Sequence, residues 1–545
     1  MLGRVRGDPG GGAGFSPSGV RGPRGGAAMP RVREERRNGG APSRRDHALP
    51  VPGDGRPVTR SPHPFAAGGR NRHAGAVRGG GVPPGSSGAP PPFRHRGVVM
   101  RIAVVGQGYV GVTGAVALAQ AGHLVTGIEQ DRDRLDALTL GRAPVVEPGL
   151  QDQLSLALAS GRLSFAGALA PAHAERPFDA VLVTVGSPPA PDGTADLRQV
   201  TAAVEEAAGL TPATCVVLKS TVPPGTSDRL LAARPDLRDR FASNPEFLNQ
   251  GSAMEDWTAP SRLVVGIWSR RVLPLLRSLY DGTICPWVVT TPASAEMAKY
   301  ASNTFLAAKI SFANEIARLC SAPGFDVDDV MQAVGYDPRI GHAFLQPGLG
   351  FGDSCLPKDT LALARWAAAL GVRTPLLNAV VEVNATQPGV VREILRRELG
   401  QDLRRSVIAV LGARYEPWSD DMRAAPSLSL VPALVREAAR VRIWDPALGQ
   451  GGLAALFPGT EPVADLRTAV RDAHAAVILT EWPEVVEADW TDLGARLARP
   501  RVVVDGKNCL RPWQLARLPL RYRGIGNRPA AGVPDPAGSA GITGV

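Results

Sequence analysis

Two stretches of this chain carry residue types that could do chemistry together. Cys355 lies in Gly350-Phe351-Gly352-Asp353-Ser354-Cys355-Leu356-Pro357-Lys358-Asp359, a loop of small residues that ends in a lysine and an aspartate. Far upstream, Gly106-Gln107-Gly108-Tyr109-Val110-Gly111 has the spacing of a dinucleotide-binding turn. A hydride acceptor alone takes an alcohol to an aldehyde. A cysteine beside it can capture that aldehyde, permit a second oxidation and release an acid. An inert buried thiol is the commoner fate of a cysteine, so the loop by itself leaves both readings open.

Three more segments belong with these. Asn244-Pro245-Glu246-Phe247-Leu248 follows the end of a predicted strand, where Glu246 is either a general base or the cap of the next helix. Lys299 and Asn303 are four residues apart and share one helix face. Their apolar neighbours Met297, Ala298, Ala301 and Phe305 favour an interior face over a solvated one. Ser220-Thr221-Val222-Pro223-Pro224-Gly225 follows the predicted strand Cys215–Leu218, at the strand end where parallel sheets bind ligands.

The elements that must position these residues can be read from periodicity. Predicted strands at 102–105, 124–128, 180–185, 215–218 and 263–266 alternate with helices, the first of them at 110–121, and so predict a parallel sheet covered on both faces. Within it Gly106 permits the tight turn, Gly108 lets backbone approach a pyrophosphate, and Gly111 lets helix pack on strand. Glu129 ends the second strand, where a carboxylate binds both ribose hydroxyls and repels a 2′-phosphate, so NAD is expected rather than NADP. A long helix opens at Ser294-Ala295-Glu296 and covers 294–320, with no Pro or Gly before Pro323. A second helical stretch over 375–399 is broken at Gln387-Pro388-Gly389. Strands at 407–411, 441–444, 476–479 and 501–504 predict a second sheet. Its first turn, Gly412-Ala413-Arg414-Tyr415-Glu416-Pro417, lacks the second and third glycines and is not expected to hold a dinucleotide.

The fold expected is therefore α/β: two Rossmann-like, doubly wound domains joined by a long central helix within a helical domain. The divisions are 1–99, a Gly/Pro/Arg-rich extension; 100–293; 294–400; 401–528; and 529–545, a loose tail. The first 99 residues hold 17 Arg, no Lys, five acidic residues, 23 Gly and 15 Pro, and so cannot bury a core. Met100 directly precedes a strand and reads as a natural start, with an Arg-rich binding tail as the alternative. The other residues hold 44 basic and 46 acidic side chains, so the basic balance of the whole chain points to no nucleic-acid or membrane partner for the folded part. No run of 18 apolar residues and no apolar leader is present. Five scattered cysteines without a CxxC pair fit a reducing cytoplasm, and no metal site is expected.

Taken in order, the chain resembles the UDP-glucose/GDP-mannose 6-dehydrogenase family. The resemblance rests on Gly106–Gly111, Glu147-Pro148-Gly149-Leu150, Gly186-Ser187-Pro188-Pro189, Lys219-Ser220-Thr221, Asn244–Leu248, Ser294–Asn303, Asp337-Pro338-Arg339-Ile340-Gly341, Gly350–Asp359, Asp420-Asp421-Met422-Arg423 and Asp505-Gly506-Lys507-Asn508. It covers about residues 100–528. The segments around Lys299 and Asn244 look most like the UDP-glucose branch. The resemblance implies NAD-dependent oxidation of UDP-glucose at C6 to the carboxylate, in two hydride transfers through a thioester, by a homodimer or higher oligomer.

By the same resemblance Cys355 is the nucleophile, Lys299 and Asn303 stabilise the oxyanion, and Lys299 helps remove the C6 hydroxyl proton. Asp359 and Thr221 position water, and Glu246 is the base for thioester hydrolysis. Gly106, Gly108, Tyr109, Val110, Gly111, Glu129, Arg134, Ser187, Thr221 and Lys358 would hold NAD. Phe247, Leu248, Asn249, Gln250, Phe351, Gly352, Tyr415, Arg423 and Lys507 would hold the nucleotide sugar, and Arg339 would reach the sugar of a neighbouring subunit. Residues 294–390 would form the dimer core. Four positions depart from the family pattern: Gln250 for Glu, Asp353 for Gly, Leu356 for Phe and Glu416 for Lys. Asp353 and Glu416 would repel a diphosphate. Two other readings stay open: the same chemistry on GDP-mannose or a UDP-N-acetylhexosamine, and a non-catalytic, NAD-binding dimeric paralogue.

Overall fold

The computed structural model describes residues 98–527 except 322–323, 353 and 418–421. The expectations for the leading segment, the tail, Asp353 and Asp420-Asp421 lie outside the described residues.

The first sheet has eight strands: β1 (Arg101–Val105), β2 (Leu124–Ile128), β3 (Leu163–Ala166), β4 (Ala180–Val183), β5 (Cys215–Leu218), β6 (Phe241–Ser243), β7 (Leu263–Ile267) and β8 (Trp287–Thr290). Their order is β3-β2-β1-β4-β5-β6-β7-β8, and all neighbours are parallel except β6 and β7. The central strands are covered on both faces, so β4, β5 and β7 are apolar and buried throughout. Ile102 and Val104 of β1 enter one core and Ala103 and Val105 the other, as the two-residue side-chain period requires. The order reverses between β1 and β4, and the crevice at their carboxyl ends is where a ligand of such a sheet sits.

The second sheet repeats the plan with β9 (Val407–Leu411), β10 (Arg440–Trp444), β11 (Glu461–Pro462), β12 (Ala475–Ile478), β13 (Val502–Asp505) and β14 (Arg521–Gly524), all parallel, in the order β11-β10-β9-β12-β13-β14. Its turn after β9 keeps half of the dinucleotide pattern. The Gly412 amide donates to Trp444 O and the Ala413 amide to Asp445, much as the Gly106 amide donates to Ile128 O and the Gln107 amide to Glu129. The next helix begins only at Ser427, whereas Tyr109 opens a helix directly after the first turn. Among the described residues the helix that follows the second turn starts at Ser427, whose hydroxyl donates to Ala413 O of that turn.

Between the sheets runs the helix Pro292–Ser321, 30 residues long, packed on β7 and on the helices Leu356–Ala369 and Pro375–Thr386. Glu296 fixes its rotation. Its carboxylate, 2 % exposed, accepts from the amides of Gly225, Thr226 and Ser227 and from the Ser227 hydroxyl, and so caps the helix Thr226–Ala233. Lys299 and Asn303 lie three and seven residues on and share that face. Strands β3, β6, β8, β11 and β14 go beyond the predicted set.

Candidate active site

A cavity of about 1840 Å³ opens between the carboxyl ends of both sheets and the long helix. At one end lies the turn after β1. A Cβ on Gly111 would fall 1.8 Å from Gly106 O, and one on Gly106 would meet Val185 at 2.9 Å. Gly108 differs, because a Cβ there meets nothing within 4 Å. Gly106 and Gly111 thus serve the packing of the turn, while Gly108 keeps open the space that a pyrophosphate would fill. The helix Tyr109–Gln120 points its N-terminus at that space. Glu129, 7 % exposed, is held at the tip of β2 by the amides of Gln107 (3.1 Å) and Asp131 (3.0 Å) and by Arg134 at 3.4 Å. A turn open at Gly108 and a fixed carboxylate one strand away fit a dinucleotide with free ribose hydroxyls.

Tyr109 and Glu147 tie this turn to the next segment. The Tyr109 hydroxyl donates to Glu147 at 2.5 Å, and Glu147 also accepts from the amides of Gly251 and Ala253 at 2.9 and 2.8 Å. Burial, the bond to Glu147 and its charge together hold the tyrosine far above its ordinary pKa, so it stays a donor. Leu248, Asn249 and Gln250 are held against the cavity wall this way.

The middle of the cavity gathers the groups with reactive side chains. Lys299 Nζ is 2.9 Å from Glu246 Oε1, with the two side chains 4 % and 8 % exposed. The other oxygen of Glu246 accepts from the Leu248 amide at 2.7 Å. Burial works to raise the Glu246 pKa, but Lys299, the Leu248 amide and Lys219 outweigh it and the net shift is downward. Burial works to lower Lys299, and Glu246, Cys355 and Asp359 reverse it upward. Each of the two thus favours the charged form of the other. Asn303 donates to Asp359 at 2.7 Å, and Lys358 reaches the other oxygen of Asp359 at 2.5 Å.

Cys355 occupies the N-cap position of the 14-residue helix Leu356–Ala369, without a side-chain capping bond, at the end where the helix dipole is positive. Three amide side chains hold its loop. Asn384 brackets Phe351, accepting from its amide (2.7 Å) and donating to its carbonyl (2.9 Å). Asn314 accepts from the Gly348 amide and Gln387 donates to the Gly348 carbonyl. Phe351 itself is 2 % exposed and packs with Ala307, Val380 and Tyr415. On the other wall the Ser187 hydroxyl donates to Thr221 O at 2.7 Å. At the far end Lys507 bonds Tyr415 O at 2.9 Å, pairs with Glu481 at 3.0 Å and lies over the Tyr415 ring.

Of the candidate residues, the cavity wall includes Gly106, Gly108, Tyr109, Val110, Glu129, Arg134, Ser187, Thr221, Glu246, Leu248, Asn249, Gln250, Lys299, Asn303, Gly352, Cys355, Lys358, Asp359, Tyr415, Arg423 and Lys507, with Glu416 beside them. Gly111, Phe247, Phe351 and Arg339 are not on it. Phe247 stands behind, stacked under Arg262 at 3.8 Å and 5.4 Å from Lys299 Nζ. Arg339 is bound to Asp337, with its side chain 87 % exposed. Sequence reasoning assigned no role to Lys219, Tyr280, Glu147, Glu296, Asn314, Asn384 or Gln387. Glu296 had a usable signal in standing on the same helix face as Lys299, and Glu147 and Lys219 lay within motifs of the family resemblance.

Among the described residues no helix is long and apolar enough to cross a membrane. Three family models match the chain in tandem. They are the NAD binding domain of the UDP-glucose/GDP-mannose dehydrogenase family over residues 100–284, its central domain over 293–386 and its UDP binding domain over 409–512. A UDP-glucose 6-dehydrogenase of Pseudomonas aeruginosa is 39% identical over 451 residues, 79% of this chain and 98% of that protein. One of Rhizobium meliloti is 40% identical over 439 residues, 78% of this chain and 99% of that protein. The structure of a UDP-glucose dehydrogenase from the archaeon Pyrobaculum islandicum superposes with a TM-score of 0.72 at 38% identity, covering 79% of this chain and 99% of that one.

Proposed function

The chain belongs to the UDP-glucose/GDP-mannose dehydrogenase family, and on that premise we propose that it oxidises the C6 alcohol of UDP-glucose to the carboxylate with NAD. The observation that carries the reading is one cavity lined by both the dinucleotide turn and the Cys355, Lys299, Glu246, Asn303 and Asp359 group. The relatives' names support UDP-glucose as the sugar. NAD, when bound, supplies the hydride acceptor that each of the two oxidation stages needs. Gly106, Gly108, Tyr109, Val110 and Glu129 would hold it.

In this reading Lys299 assists loss of the C6 hydroxyl proton in the first stage. Cys355 Sγ then adds to the aldehyde carbon, and the resulting thiohemiacetal is oxidised to a thioester. Lys299 and Asn303 donate to the oxygen that gathers negative charge. Asp359 and Thr221 hold a water. Glu246 takes its proton as the water adds to the thioester carbon, the C–S bond breaks and the acid leaves. Tyr415, Arg423 and Lys507 hold the nucleotide end. Residues 100–293 serve the coenzyme, 401–528 the nucleotide, and 294–400 the joining helices.

The exposed Phe305, Phe312 and Leu319 recur every seven residues on the long helix and so form one stripe. We assign that stripe to a homodimer interface, beside which Arg339 can reach a neighbouring sugar. Five free cysteines suit the cytoplasm.

The decisive experiment measures NADH formed per UDP-glucose consumed, with GDP-mannose and UDP-N-acetylhexosamines in parallel. Two NADH per UDP-glucuronate are expected, and Cys355→Ser should lose acid production by about a thousandfold or more. A variant that still makes acid at near-normal rate overturns the thioester route. Turnover confined to another sugar moves the substrate, and none at all moves the protein to a binding role.

A further inference from the structure

Lys219 is a buried cation to which the mechanism above gives no task. It follows β5 directly and is 3 % exposed. Its ammonium donates to Asn244 O and Asn244 Oδ1, each at 3.3 Å, and to the Tyr280 hydroxyl at 3.2 Å. It also lies 4.6 Å from the centre of the Trp257 ring and 5.7 Å from that of Tyr280. Every one of these partners is neutral, and no carboxylate of the described residues pairs with it directly. Burial pulls its pKa down from 10.5 to about 8, Glu246 opposing the fall and Lys299 adding to it. A buried ammonium is costly, and a methionine would fill the same space without that cost.

The surroundings indicate what the charge does. Lys219 lines the same cavity as Glu246 and Lys299, and it grips Asn244, two residues before Glu246. Within this group, Lys299 is matched by Glu246 and Lys358 by Asp359. Lys219 is left as the surplus positive charge. The groups that face it are Asn244 and Glu246 from the segment after β6, Trp257 from the helix Ala253–Thr258, Tyr280, and Lys299 from the long helix. Cys285 acts on Tyr280, and Cys355 and Asp359 act on Lys299.

We propose that Lys219 is a positioning residue. It holds the Asn244-Pro245-Glu246 segment through Asn244, and it adds a positive charge beside the Lys299–Glu246 pair that no carboxylate of the described residues neutralises by direct contact. That charge keeps Glu246 a carboxylate and favours negative charge on Cys355. The inference rests on the reading of Glu246 as the hydrolytic base.

The test compares wild type with Lys219→Met, Lys219→Arg and Asn244→Asp. Two readouts are taken against pH: kcat for NADH formation from UDP-glucose, and the rate at which iodoacetamide labels Cys355, assigned by peptide mass spectrometry. In Lys219→Met the acid limb of kcat and the labelling midpoint should both move up by about one pH unit, the order of effect of deleting one neighbouring charge. KM for NAD and for UDP-glucose should change less than about threefold. Lys219→Arg should restore both profiles most of the way. Asn244→Asp keeps the packing and places a carboxylate on the ammonium, so it should reproduce the upward shift even if Lys219→Met does not fold. Unmoved profiles in Lys219→Met, or in Asn244→Asp where the former is unfolded, overturn the proposal. If wild type forms no NADH from UDP-glucose, the substrate reading fails by itself, and the labelling profile still decides on Lys219.

Discussion

Removing either partner of the Lys299–Glu246 pair should destabilise the protein strongly, and removing both should cost less than the sum. The charges are 2.9 Å apart, with the side chains 4 % and 8 % exposed. At an effective dielectric near 20 that separation gives about 6 kcal/mol of attraction before desolvation is subtracted. A buried charge left alone by mutation typically costs about 3–5 kcal/mol. Here each survivor keeps partial company. Lys299 retains Cys355 and Asp359, and Glu246 retains the Leu248 amide and Lys219. The lower end is therefore expected, about 3 kcal/mol for Glu246→Gln and for Lys299→Met. The double variant should also lose only about 3 kcal/mol, because no charge of the pair is then stranded.

The assay is thermal unfolding of the four proteins at pH 7, where each single change should lower Tm by about 6–12 °C. The pH dependence has a definite sign. Glu246 is held below its ordinary value of 4.5, so its contribution is complete above that pH and is lost as pH falls through the folded value. Lys299 is held above 10.5, so its contribution is complete below that pH and is lost as pH rises through the folded value. Between those limits the gap from wild type should be flat. Losses that add within about 0.5 kcal/mol would falsify the pairing as an energetic unit.

Other outcomes follow from the same geometry. Glu129→Ala should raise KM for NAD about tenfold or more and narrow the preference over NADP, and equal turnover with NADP by wild type would refute the placement of Glu129. Gly108→Ala should leave Tm within about 2 °C while weakening NAD, because its Cβ meets nothing in the free protein; Gly111→Ala should fail to fold or lose NAD binding entirely, since its Cβ would fall 1.8 Å from Gly106 O. Calorimetry with NAD separates the two. Glu246→Gln should release up to about two NADH per site in a single burst and then stall with label-resistant Cys355, and continued steady turnover would remove Glu246 as the hydrolytic base. Phe305→Asp with Phe312→Asp should halve the mass seen by light scattering, and an unchanged mass would move the interface off that stripe.

Much of this molecule is local in origin and was legible in the residues. The central strands are short apolar runs whose alternate side chains enter opposite cores, and such runs need no distant information to be recognised. The turn at Gly106–Gly111 is equally local, since its three glycines, the following helix and Glu129 lie within 24 residues. The expectation that the second turn holds no dinucleotide was likewise local, resting on the absence of two glycines. Strands β3, β6, β8, β11 and β14 were not legible. They have two to four residues each, and β8 has no buried position, so pairing with a neighbouring strand rather than their own pattern makes them strands.

What only tertiary structure decided is which polar groups meet. Glu246 had two roles open in the sequence, base or cap, and only the fold shows that one of its oxygens meets Lys299, 53 positions away, while the other accepts from the Leu248 amide. The interior face of Lys299 and Asn303 depends on Glu296 reaching the start of another helix. The nucleophile loop is held by Asn314, Asn384 and Gln387, amides with no motif of their own. Lys219 finds Tyr280 61 positions away. A side chain's burial and charge state depend on everything packed around it, and that is a property of the folded chain, whereas periodicity and turn chemistry are properties of a dozen consecutive residues.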